Sequence, residues 1–338
     1  MDTLTHALSG ALLARATAPK DAPQGSIPLR VAAGFLACAA PDLDFVTSFA
    51  GPVQYLLNHR GVTHSLLMLP LWALPLSWLL AKMLREPRGW RALYGVTALS
   101  IGVHIAGDVI TTFGTMVLAP LSDWRAQIGT TFIIDLWFSG IIAAGLFVSA
   151  FLRRTRWPAV AACALLVGYV GFQYLQKERA IEFGERYARD HGIGGASVNV
   201  QPRPVSPFNW TVFVSDSEAH HFAHVNLNRS EPRPNRPGDG FIAKLNSVYE
   251  PLPTARWETR TRFGEGAAKT LAQDAWNSPA MGMFRWFADL PAFEAVGTGS
   301  ICVWFIDLRF YTPGRPATPF RYGACRDLPD APWRLVPP

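Results

Sequence analysis

The chain has 338 residues, 49% of them hydrophobic and only 17% charged, well below the roughly 25% charged residues of typical soluble domains. That deficit excludes a wholly soluble globular protein. The net charge of +6 is spread along the chain with no basic stripe of interleaved aromatics, so no nucleic-acid partner is expected.

Length and a composition shift near Gln176 predict two domains. Residues 1–176 read as an α-helical membrane bundle with a metal site. Residues 177–338 read as a C-terminal β-rich (α+β) soluble domain. Met1-Asp2 opens on an acid rather than a basic n-region, so no cleavable signal is read there. Residues 4–16 and 31–40 are apolar but too short to span. A spanning helix needs about 20 apolar residues, and 65–84, 92–109, 132–152 and 157–175 are the four expected spans.

Lys82, Arg85, Arg88 and Arg91 separate the first two spans, and Arg153, Arg154 and Arg156 separate the last two. The opposite loops carry only Arg60 and Arg125. Positive-inside logic puts the basic loops in the cytoplasm of a bacterial inner membrane and the C-terminal domain in the periplasm. Lys177, Arg179, Arg186 and Arg189 run against that placement.

Residues 178–189 read as an extension of the last helix. After Gly192-Ile193-Gly194-Gly195, residues 210–215, 222–227 and 301–311 are rich in β-branched and aromatic side chains and predict strands, with a helical insertion over 267–289. Cys302 and Cys325 either pair, if this domain lies outside the cytoplasm, or stay free. Cys38 and Cys163 are packing residues. His191, His220, His221 and His224 read as structural or surface residues.

Four of the eight histidines lie in the first 104 residues beside acids. Asp2 and His6 share a helix face, so the carboxylate ligates or orients the imidazole. Asp42 and Asp44 follow the helix breaker Pro41 and point the same way if that segment is extended; capping is the alternative for Asp42. His59 and His64 flank a turn through Gly61, with Thr63 or Ser65 capping the next helix. His104 and Asp108 lie four apart in a span, where two ionisable groups need compensation that a metal ion or a mutual hydrogen bond provides. Asp135 is either a further ligand or an acid at a helix N-terminus. Nitrogen and oxygen donors of this kind suit zinc.

The ordered set MDTLTH, PDLDF, HRGVTHS and HIAGDVITTFGT resembles the bacterial membrane-bound metal-dependent hydrolases, the YdjM-like family. FIIDLWF and Pro207-Phe208-Asn209-Trp210 follow the same pattern. The resemblance covers most of the chain and is strongest up to about residue 138. It implies metal ligands at His6, Asp42, His59 or His64, His104 and Asp108. A more distant similarity is to bacterial zinc-dependent phospholipase C, whose His-x-x-x-Asp pair matches His104 and Asp108. A second downstream His-x-x-x-Glu element is lacking, which puts a three-metal site in doubt unless Asp135 substitutes.

The expected function is a metal-dependent hydrolase, with one to three Zn2+ or other divalent ions, cleaving a lipid or lipid-linked phosphoester in contact with membrane lipids. Asp44 is the expected general base and Arg60 a bidentate phosphate clamp or an interfacial anchor. A transporter or metal-handling protein using the same residues as an ion pathway is the rival reading, and a scaffold with a structural metal is a third. Oligomeric state is not legible.

Overall fold

The computed structural model describes residues 1–20, 23, 25–297, 301–313 and 318–337. The chain divides into two compact units. Met1–Phe49, Asn58–Gln176 and Pro204–Pro207 form the first; Ala50–Leu57, Lys177–Arg203 and Phe208–Pro338 form the second.

The first unit is helical. Its helices are α1 (Thr3–Ala16), α2 (Ser26–Ala39), α4 (Leu69–Met83), α5 (Trp90–Val109), α6 (Leu136–Phe151) and the start of α7 (Trp157–Asp190). Helix α3 (Pro52–Asn58) belongs to the second unit except for its last residue. Asp2 starts α1 by accepting from the Thr5 amide at 3.0 Å. Ser65 Oγ accepts from the Leu67 and Met68 amides ahead of α4.

Helix α5 is the core of the unit. Its buried residues, Leu93, Val96, Thr97, Ser100, Ile101, His104, Ile105 and Asp108, recur at three- and four-residue steps and so form one stripe. Helices α1, α2 and α4 pack against it. Helices α1 and α2 cross at a pair of glycines. A Cβ on Gly10 would stand 2.2 Å from the Gly34 carbonyl oxygen, and one on Gly34 would stand 2.5 Å from the Gly10 carbonyl oxygen. Only glycine on both helices permits that approach.

Two of the four expected spans form helices of full spanning length, α5 and α7. Helix α4 has 15 residues and α6 has 16. Each starts four residues later than its apolar run: Ser65 Oγ holds the turn of residues 66–68 before α4, and Asp135 caps α6. Exposed Leu71, Trp78, Phe147, Phe151, Leu165 and Val167 give α4, α6 and α7 apolar outer faces, as expected for helices in lipid.

In the second unit β1 (Ser197–Pro202), β2 (Asn209–Ser215) and β3 (Ala219–Asn226) form an antiparallel meander. Strand β4 (Glu250–Pro251) pairs parallel to β3, and β5 (Trp257–Thr261) pairs antiparallel to it. Helix α8 (Phe241–Ser247) precedes β4, and α9 (Gly266–Asn277) and α10 (Gly282–Phe287) form the helical insertion. A second antiparallel sheet runs β6 (Pro291–Val296), β7 (Ile301–Asp307), β8 (Tyr322–Arg326), β9 (Arg334–Val336).

Period-two alternation splits the first sheet's side chains. Val200, Trp210, Val212, Ala223 and Val225 pack with Ala180 of α7. Phe213 and Phe222 pack with Leu290, Ala292, Ile306 and Leu308 of the second sheet's side. Cys302 and Cys325 face each other across β7 and β8 and are disulfide-bonded. The strand expected over 301–311 ends at Asp307, whose carboxylate accepts from the Arg309 amide and opens a 3-10 turn.

Replacing Gly10 or Gly34 by valine should cost about 2–3 kcal/mol through overpacking against backbone that has no side chain to move aside. Gly25→Ala, where an added Cβ meets nothing within 4 Å, should change stability by only a few tenths. Thermal unfolding in detergent checks this, and equal midpoints for the three variants would contradict the crossing.

Candidate metal centre

The site grows from the buried stripe of α5. His104 and Asp108 lie one turn apart on it with no solvent exposure. His104 Nδ1 lies 2.6 Å from the Cys38 carbonyl oxygen of α2. A carbonyl only accepts, so Nδ1 carries the proton and the Nε2 lone pair faces inward. The short 3-10 turn Val62–His64 presents His64 Nε2 to the same point, 2.9 Å from His104 Nε2. His64 Nδ1 lies 2.9 Å from Thr63 Oγ1 and 3.3 Å from Asp44 Oδ2, and the carboxylate holds its proton on that side.

Two carboxylate oxygens complete the group. Asp108 Oδ2 stands 3.2 Å from His64 Nε2 and 3.4 Å from His104 Nε2. It is buried and has no hydrogen-bond partner among the described residues. Asp42 Oδ1 stands 3.7 and 3.5 Å from the same two nitrogens. The four donors therefore lie 2.9–3.7 Å apart along these five edges. Ligands placed tetrahedrally about 2.0–2.1 Å from zinc stand about 3.3–3.4 Å from one another. Two imidazole lone pairs aimed at each other beside an unbonded buried carboxylate oxygen are unfavourable without a cation. The residues fit a divalent ion.

The surroundings aim these donors. Asp108 Oδ1 takes Arg60 Nη2 at 2.9 Å, His6 Nε2 at 3.0 Å and a contact from the Met1 amino group. The His6 ring stacks on His104 with centroids 3.7 Å apart. Thr3 Oγ1 donates to Asp42 Oδ2 at 2.6 Å. Arg60 has a left-handed φ of 58°, unusual for a side-chain-bearing residue. Its amide donates to Asp44 Oδ2 and its carbonyl accepts from Met116, which holds that conformation.

Several expected roles change. Of His59 and His64, His64 joins the four-donor group, while His59 Nδ1 lies 2.8 Å from Asp44 Oδ1. Residues 40–50 are 3-10 helical, not extended, so Asp42 and Asp44 point in different directions. Asp44, expected as a general base, has both oxygens engaged by His59, the Arg60 amide, Thr63 and His64, and so orients the site. Arg60, expected as a phosphate clamp or an interfacial anchor, is buried and spent on Asp108 and Thr111.

His6 acts on Asp108 from outside the four-donor group. It also forms a second candidate group with Cys38 and His104, but the His6 Nε2 contact to Asp108 and the His104 Nδ1 bond to Cys38 leave that group fewer inward donors. Asp2 caps α1 rather than orienting His6. Asp135 is not brought to the group. It accepts from the Trp137 and Phe138 amides, Tyr169 Oη and Gln173 Nε2, because the first amides of α6 have no partner inside the helix. Thr3 and the Cys38 carbonyl belong to the site without having been read from the sequence. A hydroxyl 39 residues from its partner, and a backbone oxygen common to every residue, leave no local signal.

The family model described as YdjM inner membrane protein matches residues 1–180, which include every residue of this cluster. The uncharacterized protein YfhP of Bacillus subtilis (strain 168) is 27% identical over 176 residues, covering 51% of this chain and 52% of that protein. Inner membrane protein YdjM of Escherichia coli (strain K12) is 33% identical over 110 residues, 29% of this chain and 52% of that protein, as is its Shigella flexneri counterpart. The chain thus spans about half the length of these relatives. No solved structure matches.

Zn2+ or Co2+ titrated into purified protein should bind at about one ion per chain. His64→Ala, His104→Ala and Asp108→Ala should each remove it, Asp44→Asn should weaken it about 10–100-fold, and Asp135→Ala should retain it. Metal content by mass spectrometry and the visible absorption of bound Co2+ report the outcome. Retention in His104→Ala with loss in Asp135→Ala would refute the assignment.

Proposed function

We infer that this chain, which belongs to the YdjM inner membrane protein family, is a membrane-bound metal-dependent hydrolase that uses zinc to cleave a phosphoester. The observation that carries the reading is the convergence of His64, Asp42 and the α5 pair His104 and Asp108 from three segments onto one point at tetrahedral spacing. When bound, the ion supplies Lewis acidity toward a phosphoryl oxygen and makes water acidic near neutrality.

The protein's own part is positional. Cys38 and Asp44 lock the two imidazoles in the tautomer that presents Nε2, and Arg60 and His6 hold Asp108. Three of the four donor residues have no solvent exposure, whereas the Asp42 side chain keeps 13%. Asp42 therefore marks the side on which a substrate meets the site. With His64, His104 and Asp108 holding the ion, Asp42 Oδ1 is the carboxylate oxygen left on that side to take a proton, the role first expected of Asp44. One four-donor group, with Arg60 on the other oxygen of Asp108, favours a single ion over two or three.

A site flanked by membrane helices favours a lipid or lipid-linked ester over a freely soluble one. Clustering at one point favours an enzyme over an ion pathway, which would distribute these groups through the bilayer. The Cys302–Cys325 bond supports a periplasmic C-terminal unit, since disulfides persist in oxidising compartments.

The test is hydrolysis of chromogenic phosphomonoesters and phosphodiesters by detergent-solubilised protein. Chelation should abolish turnover, Zn2+ should restore it, and His104→Ala or Asp108→Ala should lower it by at least about 10³-fold. A metal-loaded protein no faster than His104→Ala would end the hydrolase reading, and ion flux into proteoliposomes by that same protein would establish the rival.

A further inference from the structure

A second cluster of buried polar groups lies wholly within the C-terminal unit and plays no part in the chemistry above. Gln201 on β1, Thr211 on β2 and His224 on β3 stand opposite one another across the strand register, on the face that carries Phe213 and Phe222. Arg203 follows β1, and its Nε donates to Thr211 Oγ1 at 2.6 Å. Thr211 Oγ1 lies 2.8 Å from His224 Nδ1. Tyr249 meets His224 edge-on, with ring centroids 6.2 Å apart.

Four atoms of this cluster, Arg203 Nη2, His224 Nε2, Tyr249 Oη and Gln201 Oε1, are buried and have no hydrogen-bond partner among the described residues. Buried polar atoms are nearly always paired, so four together require an explanation. Among the described residues no carboxylate pairs with Arg203. A guanidinium does not lose its proton in proteins, and an uncompensated buried charge is costly.

Thr211 Oγ1 accepts from Arg203; with its own proton given to His224 Nδ1, the imidazole proton lies on Nε2. Burial first, then the Arg203 charge, push the His224 imidazole down to about 3, so the ring is neutral near neutrality. Arg203 Nη2, His224 Nε2 and Tyr249 Oη are then three free donors around one positive charge, with the Gln201 carbonyl as a free acceptor beside them. Arg203 and His224 keep 6% and 7% exposure, so the cluster is not sealed.

We propose that Arg203, His224 and Tyr249, with Gln201, form a phosphate-binding site in the C-terminal unit, taking the dianion either free or as a monoester headgroup. Three donors and a cation match a phosphate's oxygens, and the single acceptor matches a protonated one. The site does not depend on the metal cluster or on hydrolysis.

The experiment uses full-length His104→Ala protein with chelator, so that the metal cluster is silent, and follows the thermal unfolding midpoint. Inorganic phosphate should raise it saturably above chloride of equal ionic strength. Arg203→Met should abolish the rise without lowering the ligand-free midpoint, since it removes an unpaired buried charge. Tyr249→Phe, which removes only the hydroxyl, should weaken apparent affinity about tenfold. Dihexanoyl phosphatidic acid serves as the second probe. A rise with the lipid alone assigns the site to a headgroup, a rise with phosphate alone to the free ion, and a rise with both to the shared chemistry. No rise with either probe, or an equal rise in Arg203→Met, overturns the proposal. If Arg203→Met does not fold, unchanged affinity in Tyr249→Phe overturns it.

Discussion

Asp108 is the constraint around which the first unit is organised. A carboxylate with no solvent exposure, in the last turn of a helix long and apolar enough to cross a membrane, is stable only with charge partners supplied at fixed positions. One of its oxygens meets Arg60 and His6; the other meets the two imidazoles of His64 and His104. These four partners come from three segments. Helix α1, the turn before α4 and α5 itself must therefore all be in register for the charge to be tolerated.

The helix packing supplies that register. The paired glycines Gly10 and Gly34 bring α1 and α2 into backbone contact. That contact sets the height of His6 on α1 and of the Cys38 carbonyl on α2 against α5. The left-handed residue Arg60 performs the same service for the turn. Its backbone is pinned between Asp44 and Met116 while its side chain reaches Asp108. Backbone strain at one residue thus positions two groups, the guanidinium and His64 four residues on.

The C-terminal unit solves a simpler packing problem with the same economy. One strand face packs on α7 and the other on the second sheet, and the disulfide ties neighbouring strands of that sheet. Where the inter-sheet layer turns polar, it does so at adjacent cross-strand positions, so that Gln201, Thr211 and His224 form a row rather than scattered defects. A row of this kind concentrates unpaired donors beside one guanidinium, which is the feature that points to an anion.

Much of this was determined by residue order alone. Apolar runs and the composition change near Gln176 prescribe a helical membrane part followed by a strand-rich part, because hydrophobic length and period-two alternation are local properties. The donor types were equally legible: His64, His104, Asp42 and Asp108 announce themselves as nitrogen and oxygen ligands beside apolar segments. What only the tertiary structure decided is which acids join the candidate metal cluster and which serve the scaffold. Asp2, Asp44 and Asp135 are chemically identical to Asp42 and Asp108, yet helix starts or neighbouring donors claim their oxygens. A carboxylate's role depends on the groups within about 3 Å of it, and those come from residues tens of positions away along the chain.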